Sequence, residues 1–329
     1  MKRAFFSALF AATLTFGATG QALAAEKLII YTSMKESLIG KLKDAFIKKH
    51  PDIDVDYQSA GAGKLMAKIA AERESGKIQT DILWTSEVPD FYQMRSEGLL
   101  ATYISPEVKN ILNPFEDYDG TFTPARLGTL GIAYNTRFIK TPPATWDDLK
   151  KAEYKGAYGI ANPALSGTSY MSVALLAQKF GWEYFEALKK NNAKMGKGSG
   201  QVVDDTASGE LVASLAVDYI TVDKMDKGAT LALVYPPEML VIPSPVAIIK
   251  DTKNLEAASK FVDFLLSKEG QTIIAGEGTL PVRADVELPK TSLPAPDEAV
   301  KRAIKIDYPG LIKEKEATIK KFSNIMQGR

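Results

Sequence analysis

Leu28-Ile29-Ile30-Tyr31-Thr32-Ser33-Met34-Lys35-Glu36, then Ile53-Asp54-Val55-Asp56-Tyr57, then Asp81-Ile82-Leu83-Trp84, decide the fold class. The first and third runs are short and apolar and the second alternates, so each reads as a strand. Between them Leu38, Ile39, Leu42, Ala45 and Phe46 recur at helical spacing, while Lys41, Lys43, Lys48 and Lys49 face away. Ser33 and Glu36 stand at capping-box spacing before that helix, and His50-Pro51 stops it. Ser59 to Lys64 turns into a second helix carrying Leu65, Met66, Ile69 and Ala70, and a third follows Thr85-Ser86 through Phe91 and Met94. A β-α-β-α-β-α succession builds a largely parallel sheet covered on both faces.

Outward from this unit the rhythm repeats. Thr129 to Tyr134, Tyr158 to Ala161, Leu231 to Tyr235 and Val246 to Ile249 are strand-like, and Leu211 to Val217 is apolar at mixed spacing. Trp146 to Lys151 and Ser169 to Lys179 read as helices, and Leu255 to Ser267 is amphipathic with Phe261, Phe264 and Leu265 on one face. Val300 to Met326 predicts one or two closing helices broken at Pro309. Two α/β units in one chain, with the last elements returning to the first, suggest a hinged pair of lobes.

The first residues differ from the rest. Lys2 and Arg3 precede an apolar run from Ala4 to Gly17, and Ala22 and Ala24 supply an A-x-A site, so residues 1–24 are expected to be a cleaved secretory signal peptide. The run is shorter than the ~20 residues of a membrane span. No cysteine offers a lipid attachment point, so a free exported protein is expected. The 329-residue chain holds 41 basic and 40 acidic side chains, too balanced to bind nucleic acid through its phosphates. With no cysteine and His50 as the one histidine, thiolate, disulfide and multi-histidine metal chemistry are excluded. His50 ends a lysine-rich helix, a poor place for the base of a serine triad. No nucleophile–base pair stands out, so no enzymatic activity and no cofactor are expected.

In α/β sheets ligands bind beyond the carboxyl ends of strands, where helix N-termini present backbone N–H groups with partial positive charge. Segments suited to this are Thr32-Ser33, Ser59-Ala60-Gly61-Ala62-Gly63, Thr85-Ser86, Ser166-Gly167-Thr168-Ser169 and Gly198-Ser199-Gly200-Gln201. Any one of them could equally be a helix cap or a tight turn; their recurrence in both halves is what favours a site. Gly61-Ala62-Gly63-Lys64 is no P-loop, because Gln58 stands where the first glycine belongs and Leu65 where Ser or Thr belongs. Asp218, Tyr219 and Glu238 follow strand-like runs and could accept hydrogen bonds from hydroxyls or face an ammonium group; on a loop the same carboxylates are ordinary surface charge.

An ordered series of segments gives the chain a family resemblance: Ile30-Tyr31-Thr32-Ser33, Asp81-Ile82-Leu83-Trp84, Gly131-Ile132-Ala133-Tyr134-Asn135, Pro143-Ala144-Thr145-Trp146-Asp147-Asp148-Leu149 and Ala161-Asn162-Pro163, then Phe261 to Gln271 and Leu280-Pro281-Val282-Arg283. Over essentially the whole mature chain it resembles the periplasmic solute-binding proteins of ATP-binding-cassette (ABC) importers, in the cluster of ferric-ion binders and their sugar-phosphate and aminophosphonate-binding relatives. The resemblance implies a two-lobed type II periplasmic-binding-protein fold. Lobe 1 would be residues 25–127 plus 246–329 and lobe 2 residues 128–245, each a mainly parallel sheet flanked by helices and joined by hinge strands. It also implies a monomer that hands its solute to a membrane permease.

Ferric binders of this kind use adjacent tyrosines; here the matching place reads Asp218-Tyr219-Ile220, with one tyrosine only. A hard trivalent cation wants several anionic oxygen ligands, so no metal site is expected, Tyr219 being the ligand if the iron alternative holds. The expected cargo is a small anionic organic solute, a phosphate ester or a phosphonate. The expected ligand-binding residues are Ser33, Ser59, Gly61, Ser86, Gly167, Thr168, Ser169, Asp218, Tyr219 and Glu238, with Tyr235 as a further contact. A secreted hydrolase is the distant alternative.

Overall fold

The structure, a computed structural model, describes residues 26–112, 115–289 and 293–329; the expected signal peptide lies outside them. The opening succession is β1 (Glu26–Thr32), α1 (Glu36–Lys49), β2 (Ile53–Ser59), α2 (Ala62–Glu74), β3 (Ile82–Trp84) and α3 (Val88–Ser96). β1 runs parallel to both neighbours, Ile30 standing opposite Tyr57 of β2 and Ile82 of β3. Ser33 does not cap α1, whose N-cap is Lys35 with no side-chain hydrogen bond. The strand ends claim Ser33 instead. Its N–H donates to the Trp84 carbonyl at 3.1 Å and its hydroxyl accepts from the Ser86 N–H at 3.3 Å.

The second unit comprises β4 (Thr123–Asn135), β5 (Tyr158–Ala161), α4 (Gly167–Phe180), α5 (Glu183–Lys190), β6 (Lys194–Gly196), α6 (Ser199–Ser208), β7 (Ala213–Val217), α7 (Asp218–Asp226), β8 (Leu231–Val234) and β9 (Leu240–Ile248). α8 (Leu255–Leu266), α9 (Lys268–Gly276), α10 (Pro296–Arg302) and α11 (Tyr308–Gln327) complete the chain. Val300 to Met326 is thus two helices, but the break falls at residues 303–307 and Pro309 sits in the first turn of α11, where its missing N–H costs nothing.

Among the described residues nine strands form one sheet, in the order β2-β1-β3-β9-β4-β7-β5-β6 with β8 beside β4. The sheet is parallel at its two ends, within β2-β1-β3 and within β7-β5-β6. It is antiparallel in the middle, where β4 and β9 pair from Thr123–Val246 to Leu130–Leu240. Both are longer than the alternation predicts, β4 starting at Thr123 rather than Thr129 and β9 at Leu240 rather than Val246. Pro124 faces Pro245 across them, and the Pro245 carbonyl turns away from β4 to accept from the Thr85 N–H at 3.3 Å, which marks a position where the two strands exchange no hydrogen bond and a proline is tolerated. The expected lobe boundaries, 127/128 and 245/246, fall inside these two strands.

Helices cover both faces. α8 buries the stripe Phe261, Phe264 and Leu265, with Phe261 edge-on to Phe46 of α1 at 5.1 Å. α11 reaches both ends of the sheet. Its Lys315 pairs with Glu87 and Asp90 beside α3. The hydroxyl of Tyr170 in α4 donates to the Leu311 carbonyl at 2.6 Å, and Phe322 packs edge-on to Phe185 of α5 at 5.2 Å.

Candidate functional site

The carboxyl ends of β1, β2 and β3 face those of β5, β6 and β7 across a cleft of about 370 Å³, within the usual range for small-molecule sites. The heads of α2, α4, α6 and α7 follow β2, β5, β6 and β7 after at most five residues and supply Gly61, Ala62, Gly167, Thr168, Ser199, Gly200, Tyr219 and Ile220 to the wall. The first N–H groups of each helix have no partner within it and point outward. Ser33, Ser59, Ser86, Ser166, Thr168 and Ser199 add hydroxyls, and Lys35, Lys64, Lys197 and Arg126 are the charged lining residues. No Asp or Glu lines the cleft.

Hydroxyl bonds hold the walls in place. Ser166 caps α4 by accepting from the Ser169 N–H, and it meets Ser199 at 2.8 Å; Ser199 in turn meets Thr168 at 3.1 Å. The Ser59 hydroxyl donates to the Met34 carbonyl at 2.7 Å, and the Ala60 N–H to the Thr32 carbonyl at 3.1 Å, tying β2 to β1 at the mouth.

Arg126, from β4, forms the floor. Its guanidinium is buried, 4.8 Å from the Tyr219 ring centroid, and donates to Ser244 Oγ at 3.1 Å, to Thr279 Oγ1 at 2.8 Å and to Ser86 Oγ at 3.4 Å. Beneath it lies Asp218, 3.4 Å from Nη1. The Asp218 carboxylate accepts from the Thr129 N–H, the Thr129 and Thr279 hydroxyls and the Tyr219 N–H, at 2.7–3.0 Å. A buried charge is tolerated only when so thoroughly paired. Burial pushes the Tyr219 phenol above its ordinary pKa despite the nearby Arg126, so it sits in the cleft as a neutral phenol, accepting from the Lys35 N–H at 3.2 Å.

Of the expected binding residues the fold brings Ser33, Ser59, Gly61, Ser86, Gly167, Thr168 and Tyr219 to the cleft wall. It does not bring Ser169, Asp218 or Glu238 there. The Ser169 hydroxyl is turned back onto the Ala161 carbonyl at 2.5 Å. Asp218 is fully buried and its acceptor positions are taken. Glu238 follows β8, which pairs with β4 on the edge away from β7, and its carbonyl accepts from Trp146 Nε1 at 2.9 Å. Tyr235 is likewise withdrawn, its hydroxyl on Thr129. Arg126 and the three lysines were not among the expected residues. Lys35, Lys64 and Lys197 stand next to segments already suspected, and Arg126 is a lone charge in the run from Phe122 to Leu127.

Residues 81–308 match the family model described as bacterial extracellular solute-binding protein. The chain belongs to this family. Among relatives of this solute-binding protein, one from Salmonella typhimurium, named as a 2-aminoethylphosphonate-binding periplasmic protein, is 28% identical over 74% of this chain and 73% of its own. The periplasmic binding protein AfuA of Actinobacillus pleuropneumoniae, solved with fructose-6-phosphate, superposes with a TM-score of 0.81 at 27% identity, covering 92% of this chain and 99% of its own. Iron-bound HitA of Pseudomonas aeruginosa shares the fold, with a TM-score of 0.76 at 23% identity over 91% and 99% of the two chains. These likenesses establish the type II periplasmic-binding-protein fold. Among the described residues no group of three or more His, Asp or Glu is placed to hold a metal ion, and the cleft offers one phenol and no carboxylate.

Proposed function

We propose that this protein captures a small anionic organic solute, a phosphate ester or a phosphonate, between the two ends of its sheet and presents it to the membrane permease of an ABC importer. The observation that carries this is the lining of the cleft: four helix heads, six hydroxyls and four cationic side chains, with no carboxylate. Such a lining satisfies a phosphoryl group with backbone N–H and hydroxyl donors. The binding residues are Ser33, Ser59, Gly61, Ser86, Gly167, Thr168 and Tyr219, joined by Arg126 and the lysines. Solute contacts to both walls would favour closure about the crossing strands β4 and β9, which is the two-state change a permease can sense. The relatives named for 2-aminoethylphosphonate and solved with fructose-6-phosphate support the ligand class. Removal of residues 1–24 and release into the periplasm as a monomer complete the proposal.

The test is a thermal-shift panel on mature protein unfolded, stripped and refolded, with sugar phosphates, phosphonates, inorganic phosphate, ferric citrate and amino acids. Ligand at a thousand times its Kd stabilises by about 4 kcal/mol, a rise of several degrees. A rise with phosphorylated or phosphonate solutes supports the proposal. A rise with ferric citrate alone, with a tyrosinate-to-iron colour, refutes it in favour of iron, and turnover of a bound ester would refute it in favour of a hydrolase.

A further inference from the structure

The seam between the two walls lies over a pair of buried acids. Gly167, the first residue of α4, sits so close to Glu87 that a Cβ on it would stand 2.7 Å from Glu87 Cβ and 3.1 Å from Glu87 Oε2. Glu87 follows β3 at one end of the sheet and α4 follows β5 at the other, so this contact spans the two ends. Behind it Asp90, in the first turn of α3, joins Glu87 on the Lys315 ammonium of α11. Glu87 and Asp90 are each 2% exposed, so two carboxylates share one ammonium away from water. Asp90 Oδ2 is left with no hydrogen-bond partner among the described residues.

The cluster holds one negative charge more than it pairs. A buried carboxylate short of partners is costly, and two carboxylates in one site keep a proton more readily than either alone. Burial, reinforced by Asp90 and opposed by Lys315, raises the Glu87 carboxyl accordingly, and burial raises Asp90 too. From α4 the titratable group facing the acids is Tyr170, with Lys315 Nζ 6.0 Å from its ring centroid; burial holds its phenol far above the ordinary range, so it stays neutral. The head of α4 itself brings no charged side chain. Parting of the walls would lift that head off Glu87 and admit water to the carboxylate, which removes the largest cause of the raised value.

We propose that Glu87, Asp90 and Lys315 form a proton-operated latch on the cleft: the acid pair takes up a proton as the α4 head settles on Glu87 and returns it to water as the walls part. Capture of a solute is therefore coupled to proton uptake, and cargo is held more tightly in mildly acidic than in mildly alkaline surroundings. The sign follows from linkage, because the closed form binds a proton that the open form has lost, so acid favours closure and alkali favours opening. None of the three residues lines the cleft. This rests on the capture reading above, but on no particular solute.

The test is isothermal titration with fructose 6-phosphate and with 2-aminoethylphosphonate, in buffers of low and high ionisation enthalpy, which counts the protons taken up on binding. At pH 7 wild type should take up about half a proton more than Glu87→Gln, whose amide stands for the protonated acid while Asp90 keeps Lys315. The solute's own phosphoryl proton, lost near about pH 6, counts equally in both and cancels. From pH 8 to pH 6 the affinity of wild type relative to Glu87→Gln should rise about tenfold. Equal proton uptake in the two proteins, or a ratio that stays within about twofold over that range, refutes the latch while the capture reading stands. If neither compound binds at millimolar concentration, the ligand reading fails and the latch is read without solute, by amide exchange at Lys35, whose N–H the Tyr219 hydroxyl holds across the cleft. Corrected for the intrinsic rate, its protection should be about tenfold greater at pH 6 than at pH 8 in wild type and unchanged in Glu87→Gln. Protection in wild type that does not vary with pH refutes the latch.

Discussion

Gly167→Ala tests whether the cleft walls are closing faces. Gly167 opens α4 on one wall, and a Cβ there would stand 2.7 Å from Glu87 Cβ and 3.2 Å from the Glu87 nitrogen on the other. Alanine suits the first turn of a helix, so the consequence is steric. Two carbons need about 3.5–4 Å, and Glu87 Cβ is fixed to its backbone, so the walls must part by about 1 Å. A solute bonded to both at about 2.9 Å would be left near 4 Å from one, beyond hydrogen-bond range. Losing one bond to a charged group costs ~1.5–3 kcal/mol. That is a rise in Kd of about ten- to a hundred-fold, at tenfold per 1.4 kcal/mol. Titration calorimetry with the tightest phosphorylated solute measures it, and the solute-free melting temperature should stay within about 2 °C of wild type, because the walls are free to part. Gly276→Ala, with nothing within 4 Å of the new Cβ, is the control. An affinity within twofold of wild type, or a solute-free melting temperature lowered by more than 5 °C, would refute the reasoning, the latter because it marks the contact as fixed packing.

Arg126→Met removes the cation paired with buried Asp218 and should destabilise by about 3–5 kcal/mol in urea unfolding; a loss under 1 kcal/mol would mean the surrounding hydroxyls suffice. Burial, reinforced by Asp90 and opposed by Lys315, pushes Glu87 up from 4.5 to about 7. The folded chain therefore holds a proton there that the unfolded chain has lost, and this contribution to stability, full below about pH 4.5, fades as pH rises through 7, by about 3 kcal/mol in all. Melting temperature against pH should fall less steeply in Glu87→Gln than in wild type, and parallel curves would refute it. Phe322→Ala, in a buried ring edge-on to Phe185, should cost about 3–5 kcal/mol and be read by the same urea titration; a cost under 1 kcal/mol would show that α11 does not depend on that contact.

The strands and helices from β1 to α3 were legible because their signals are local: short apolar runs, alternation, and a lysine-rich face opposite a leucine stripe. The first part of β4 and the start of β9 were not. Pro124, Arg126, Pro243 and Pro245 argue against strand in a single chain, and what makes them strand is that each segment pairs with the other across the sheet. The site divides in the same way. Glycine and serine segments at helix heads announce themselves, so most of the wall was found. Asp218 was read as a ligand contact because nothing in its neighbourhood reveals Arg126, 92 residues away. Glu238 was misplaced because the side of β4 on which β8 lies is a property of the assembled sheet. The capping box at Ser33 failed for a related reason: Trp84 and Ser86 compete for that serine and win.

α11 gives the two ends of the sheet a third connection besides β4 and β9. Two adjacent strands alone would permit both bending and twisting of one end against the other. A twenty-residue helix fastened through Lys315 at one end of the sheet and through Phe322 at the other removes part of that freedom. Any opening must carry the helix along or slide it over α3, so the motion approaches a single coordinate, as in a door hung on two hinges and fitted with a stay. In the closure proposed above, the C-terminal segment would limit how far the cleft opens, and shortening α11 would widen the range of open forms without touching a cleft residue.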